Sequence, residues 1–135
     1  MVEQENTFVE TEHLYDFGHS TISLRHDGIV EIITAPDFEY DVEHIKQNHA
    51  AIKEIAKNKR VLILSIVGEN STASKDVREF VAKAPHKDFV KAEAFVIQSL
   101  AQKLLANFFI KVNKPIVPAK FFKNVEDAEK WLKSF

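Results

Sequence analysis

The sequence predicts an α/β fold in which an N-terminal β-hairpin is followed by right-handed β-α units. These build a mostly parallel five-stranded sheet with helices on both faces. Three observations carry this expectation. Residues 20–25 alternate polar and apolar, as a half-buried strand does. Residues 61–67, Val-Leu-Ile-Leu-Ser-Ile-Val, form an almost continuous apolar run of strand length, which implies burial on both sides and hence a central parallel strand. Between such runs, apolar residues recur at steps of three and four, the period of a helix with one buried face.

Taken in order, residues 1–19 are polar and acidic and read as a loosely ordered arm, leaving 20–135 as a single domain. Ile22 and Leu24 share one face of the first strand. His26-Asp27-Gly28 makes a tight turn, because glycine adopts positive φ without a Cβ clash. Residues 29–34 return to complete the hairpin, and Pro36 ends that strand. Val42, Ile45, His49, Ile52 and Ile55 then mark one face of a helix over 41–57, with Asp41 as its N-cap. Beyond the central strand, the polar loop 68–74 opens a helix with Val77, Phe80 and Val81 inward, closed by Pro85. Residues 92–97 read as another buried strand. Ser99 and Gln102 have the spacing of a capping box, in which each side chain satisfies a free backbone donor. Leu100, Ala101, Leu104, Leu105 and Phe108 continue as a helical stripe. Pro115 and Pro118 bracket the last strand, 116–121, and place it at a sheet edge, since proline cannot donate to a ladder. Asn124 caps a final helix carrying Val125, Ala128, Trp131, Leu132 and Phe135. Consecutive β-α units joined by right-handed crossovers make the sheet mostly parallel.

Composition narrows the chemistry. The chain has 135 residues, 45% hydrophobic and 28% charged, ordinary values for a domain that buries its own core. Without cysteine there are no disulfides, thiolate zinc sites or thiol nucleophiles. The acidic N-terminus does not look like a secretory signal, and no apolar run nears the roughly 18 residues that span a bilayer. The expectation is a cytoplasmic protein. A net charge of −2 hides an asymmetry: residues 1–46 hold eleven acids and two bases, or −9, and the rest carries +7. Such a split suits head-to-tail contact or a charged partner, unless folding interleaves the halves. No basic stripe with interleaved aromatics is present, which disfavours nucleic acid.

Several site chemistries are excluded. The three glycines, Gly18, Gly28 and Gly68, form neither a dinucleotide fingerprint nor a P-loop. Lys114-Pro115 matches the lysine-proline pair of phospho-receivers, but the central strand ends Leu64-Ser65-Ile66-Val67-Gly68, without a phosphoacceptor Asp. His44 and His49 lie five apart on a helix, turned about 140° from each other, where a metal pair prefers i,i+4. His13, His19, His26 and His86 fall in expected loops and read as surface residues. No G-x-S-x-G nucleophile elbow occurs, and no enzyme, metal or cofactor is expected. Two features remain. Ser71, Thr72 and Ser74 cluster at a helix N-terminus after a parallel strand, where an anion or a phosphorylated side chain is favoured, although simple capping is the commoner use. Among the eleven phenylalanines, Phe80, Phe95, Phe108 and Phe109 are candidates to line an apolar pocket, or else to fill a core or dimer interface.

The element order, the hydroxyl-rich loop after the buried strand, and the closing Ala-Phe-Val-Ile…Asn-Phe-Phe…Ala-Glu-Lys-Trp-Leu pattern resemble the SpoIIAA-like group. These are the STAS and Sec14-related small bacterial domains, and the likeness covers residues 20–135. It implies a non-enzymatic regulatory or protein-interaction module, in which a serine after the third strand is phosphorylated. The matching segment is Gly68-Glu69-Asn70-Ser71-Thr72, which lacks the family's preceding Asp and following Gly. A protein partner or homodimer is expected. The Sec14-related branch implies the alternative, a carrier holding a lipid or small apolar ligand in a groove.

Overall fold

Residues 11–135 are described by the computed structural model. They form β1 (Thr11–Asp16), β2 (Ser20–Arg25), β3 (Val30–Thr34), β4 (Glu39–Tyr40), α1 (Val42–Ala56), β5 (Val61–Ile66), β6 (Thr72–Ala73), α2 (Lys75–Ala82), β7 (Val90–Val96), α3 (Leu100–Phe108), β8 (Ala119–Phe122) and α4 (Val125–Leu132). A π-helical turn, Phe109–Asn113, extends α3. Six strands make one sheet in the order β1-β2-β3-β5-β7-β8, while β4 and β6 pair separately. The β1–β2 and β2–β3 pairs are antiparallel; β3–β5, β5–β7 and β7–β8 are parallel.

Because spatial order follows chain order, every crossover steps in the same direction, and right-handed crossovers then fall on one face. Helices α1, α2 and α3 share that face, and α4 covers the other. The central strand shows why it reads as continuously apolar. Ile63 packs with Ala51 and Ile52 of α1, whereas its neighbour Leu64 packs with Ala128 and Leu132 of α4. Strand β7 divides likewise: Ala92, Ala94 and Val96 lie in the α4 core, leaving Glu93 and Phe95 for the opposite face. Glycine is required at position 68, where β5 leaves the sheet. A Cβ there would come within 2.6 Å of the Thr34 carbonyl oxygen, and closer still to that of Ala35.

The structure departs from the sequence expectation in four places. The main sheet has six strands rather than five, because residues 11–16, read as part of the acidic arm, pair with β2. The remainder of that arm, residues 1–10, lies outside the described residues. The last strand begins after Pro118 rather than at Ile116, and it does occupy a sheet edge. On α3, Leu100, Leu104 and Phe108 point outward, 72%, 61% and 46% exposed, and Gln102 and Ala106 are buried instead. Phe135 is 44% exposed, edge-on against Trp131. Among the described residues, no helix is long and apolar enough to cross a membrane.

Candidate functional site

Between the sheet and its three-helix face lies a cavity of about 190 Å³. Ile63 and Ser65 of β5, Glu93 and Phe95 of β7 and Phe121 of β8 form its floor. Asn48 and His49 reach it from α1, Val77 and Arg78 from α2, Gln102 and Leu105 from α3, and Phe109 from the π-turn. Strand pairing sets the floor: Ile63 registers with Glu93 and Ser65 with Phe95, so polar and apolar groups alternate across two central strands.

Glu93 is the centre of the polar part. Ser65 Oγ donates to its Oε2 at 3.3 Å, and His86 Nε2 lies 4.0 Å from Oε1, too far for a hydrogen bond. His86 sits in the α2–β7 connection with its side chain 2% exposed, and the His49 ring stacks on it at 4.6 Å. Burial, opposed only by the Ser65 hydrogen bond, pushes the Glu93 carboxyl up to about 7. Burial also lowers His49 to about 3, with a smaller contribution from His86, and takes His86 down to about 4. Both imidazoles are therefore neutral at pH 7. Three buried polar atoms without a hydrogen-bond partner, Asn48 Oδ1, Arg78 Nε and His86 Nδ1, belong to residues that line this cavity. Buried polar groups are normally paired, so this concentration marks unmet bonding capacity.

The loop 68–74 forms part of the wall, since Ser71, Thr72 and Ala73 line the cavity. Ser71 is 2% exposed; its hydroxyl donates to the Ala35 carbonyl and receives the Phe38 amide at 3.3 Å. Gln102 Nε2 donates to the carbonyls of Gly68 and Ser71, at 3.0 and 3.1 Å, and so ties α3 to the loop. Ser74 is the N-cap of α2 and accepts from the Val77 amide at 3.2 Å. Of the three hydroxyl residues, Thr72 is the exposed one.

The candidate phenylalanines divide. Phe95 and Phe109 line the cavity, grouped around Phe121 with ring centroids 4.7 and 6.4 Å from it. Phe80 stands outside the lining beside His49, at 6.1 Å, and Phe108 lies on the outer side of α3 beneath Arg78, at 5.7 Å. The surface assignment fails for two histidines. His86 is buried by the site, and His19, 8% exposed, binds Ser20 and Gln47 at 2.9 and 2.8 Å. His44 accepts the Asp41 amide at 2.9 Å as part of the α1 cap. No group of three His, Asp or Glu side chains among the described residues could hold a metal ion. Glu93, Ser65 and Arg78 escaped the sequence reading. For Ser65 and Glu93 the available signal was a polar residue inside a strand buried on both sides, which demands a partner or a purpose; for Arg78, on α2, there was none.

The family model described as Domain of unknown function (DUF7793) matches residues 22–135, from within β2 to the last residue. The chain belongs to the DUF7793 family. The DUF7793 match takes in every cavity residue named above and leaves out β1. No curated protein and no solved structure matches the chain.

Proposed function

We propose that this DUF7793 protein is a cytoplasmic binding module for a small, largely apolar molecule, held between the sheet and helices α1 to α3. The observation that carries this reading is the cavity itself, apolar over most of its wall, with Ser65, Glu93, His49 and His86 grouped at one part of it. An apolar cavity of about 150 Å³ takes up benzene. The space of about 190 Å³ therefore suits a ring-sized body with a short polar arm and is too small for a two-chain lipid. This favours the small-ligand form of the carrier expectation. Two measurements test it: native mass spectrometry of protein from its own host, and thermal shift with 2-phenylethanol. A co-purifying molecule, or a probe-dependent rise in Tm that Ala106→Leu abolishes by filling the cavity, is expected. Neither a co-purifying mass nor a shift would dispose of the reading.

A second reading, a STAS-like regulatory module binding a protein partner or a second copy, is favoured by a different observation. Leu100, Leu104, Phe108, Val112 and Ile116 are 46–72% exposed along α3 and the segment after it. Residues 94–125 also contain five lysines and no acidic residue. An exposed apolar series flanked in sequence by lysines suits an acidic protein surface. Gln102 links the readings, because it lines the cavity on one side of α3 and holds the Gly68–Ser71 carbonyls. Thr72 is the accessible hydroxyl for a phosphate, which would add about two negative charges.

A further inference from the structure

No cation among the described residues lies against Glu93. Among the described residues, its recorded polar contacts are the Ser65 hydroxyl on Oε2 and the neutral His86 ring 4.0 Å from Oε1. Every element facing the cavity contributes to this account. Helix α1 supplies His49, and the α2–β7 connection supplies His86, both kept neutral by burial. Helix α2 supplies Arg78, but its Nη1 donates to the Ala73 carbonyl at 2.6 Å and the guanidinium lies over Phe108. Strands β3, β5, β6 and β8 and helix α3 place only uncharged side chains on the lining, and β4 supplies Tyr40, whose phenol burial keeps protonated. A buried carboxyl without a counter-charge costs free energy whenever it ionises, so an incoming cation would have the largest effect there.

The surroundings favour a cation as well. Phe95 lies two residues from Glu93 on the same face of β7, stacked on Phe121, with Phe109 edge-on behind. Aromatic faces attract cations electrostatically, most strongly where water is excluded. Neutral imidazole nitrogens accept hydrogen bonds. We infer that the cavity selects a small organic amine, its ammonium group bonded to the Glu93 carboxylate and its apolar body lying against Phe95, Phe121 and Phe109. The inference rests on the cavity being a binding site, as proposed above, and adds the class of molecule it takes. A carboxylate ligand would meet repulsion at this position, and an alcohol would leave the carboxylate unneutralised.

Three probes of one shape test it: 2-phenylethylamine, 2-phenylethanol and phenylacetate, titrated calorimetrically into the full chain. At pH 8 the amine is expected to bind at least about tenfold more tightly than the alcohol, with phenylacetate weakest. Between about pH 6 and 8 the ionised fraction of Glu93 rises about tenfold, and amine affinity should rise with it while the alcohol stays level. Glu93→Gln should remove the amine's advantage over the alcohol and the rise of its affinity with pH. Should that variant not fold, the pH series on the unmodified protein decides. Equal, pH-independent binding of amine and alcohol would overturn the ammonium assignment and leave the cavity reading intact. Binding of none of the three would remove both.

Discussion

A carboxyl group and two imidazoles share the cavity with opposite pH preferences, and their balance shows in stability. In the unfolded chain Glu93 titrates near 4.5, whereas in the fold it holds its proton to about 7. The native state then binds more protons over that interval, so this group's contribution worsens as pH rises from 4.5 to 7. At about 1.4 kcal/mol per pH unit, the loss approaches about 3 kcal/mol above pH 7. His49 and His86 act in the other direction. The unfolded chain takes up protons below 6.5 that the buried rings refuse, and stability falls as pH drops toward their folded values of about 3 and 4. Glu93→Gln is therefore expected to stabilise the fold by up to about 3 kcal/mol at pH 8, and by almost nothing at about pH 4. Urea unfolding at the two pH values checks this; an equal gain at both would show that titration is not the cause. Gly68→Ala belongs to the same scale. Its methyl would meet the Thr34 and Ala35 carbonyls, and a loss of about 1–3 kcal/mol, read as a lower Tm, is expected. The constraint on Gly68 was not legible beforehand, and the place of Glu93 only in part. Glu93 sits in an apolar run where period alone does not say which face an odd polar residue takes, and the constraint on Gly68 comes from a chain segment more than thirty residues away.

At the scale of elements, local chemistry was legible and pairing was not. Asp41, Ser99 and Asn124 occupy N-caps where the sequence placed them, because a cap depends on the few residues around it. The hairpin and the central strand followed from their periods. Strand β1 did not, since its short segment offers few apolar side chains and becomes a strand by pairing with β2. Helix α3 was found, but its orientation was not. Apolar residues nearly surround it, so the inward side is selected by Gln102, whose amide reaches the loop carbonyls. Gln102→Leu would leave those carbonyls without that donor and break the capping box with Ser99, at an expected cost of about 1–3 kcal/mol. Because the bonds fasten the cavity wall, the Ser71 and Thr72 amides, which donate to Gly68 and Phe38, should exchange faster by NMR. Unchanged protection at those amides would mean that β4 and Ala35 hold the loop unaided.

For the whole molecule, the decisive feature is that sheet order repeats chain order. The acidic and basic parts of the sequence meet at the C-terminal helix, where Lys133 lies 3.8 Å from Asp27 and Glu129 lies 2.7 Å from Arg25; elsewhere the acidic segment supplies β1, β2 and β3 at one end of the sheet, and residues 94–125 supply β8 at the other. Within the described residues, positions 11–46 hold eight acids against two bases, while the lysines around the exposed apolar series of α3 have no acidic neighbour in sequence. Opposite ends of one copy thus complement each other in charge, while the apolar series supplies area that water disfavours. If the partner proposed for that surface is a second copy, contact is head-to-tail and its electrostatic part weakens with salt, because the screening length shortens from about 10 Å at 0.1 M to about 3 Å at 1 M. Sedimentation velocity at low and high salt should show a larger species that diminishes as salt rises. Leu104→Glu, which places an acid in the apolar series, should abolish it at every salt concentration. A sedimentation profile indifferent to both changes would assign the surface to a different protein, because self-complementary charge could not persist at low salt without drawing copies together.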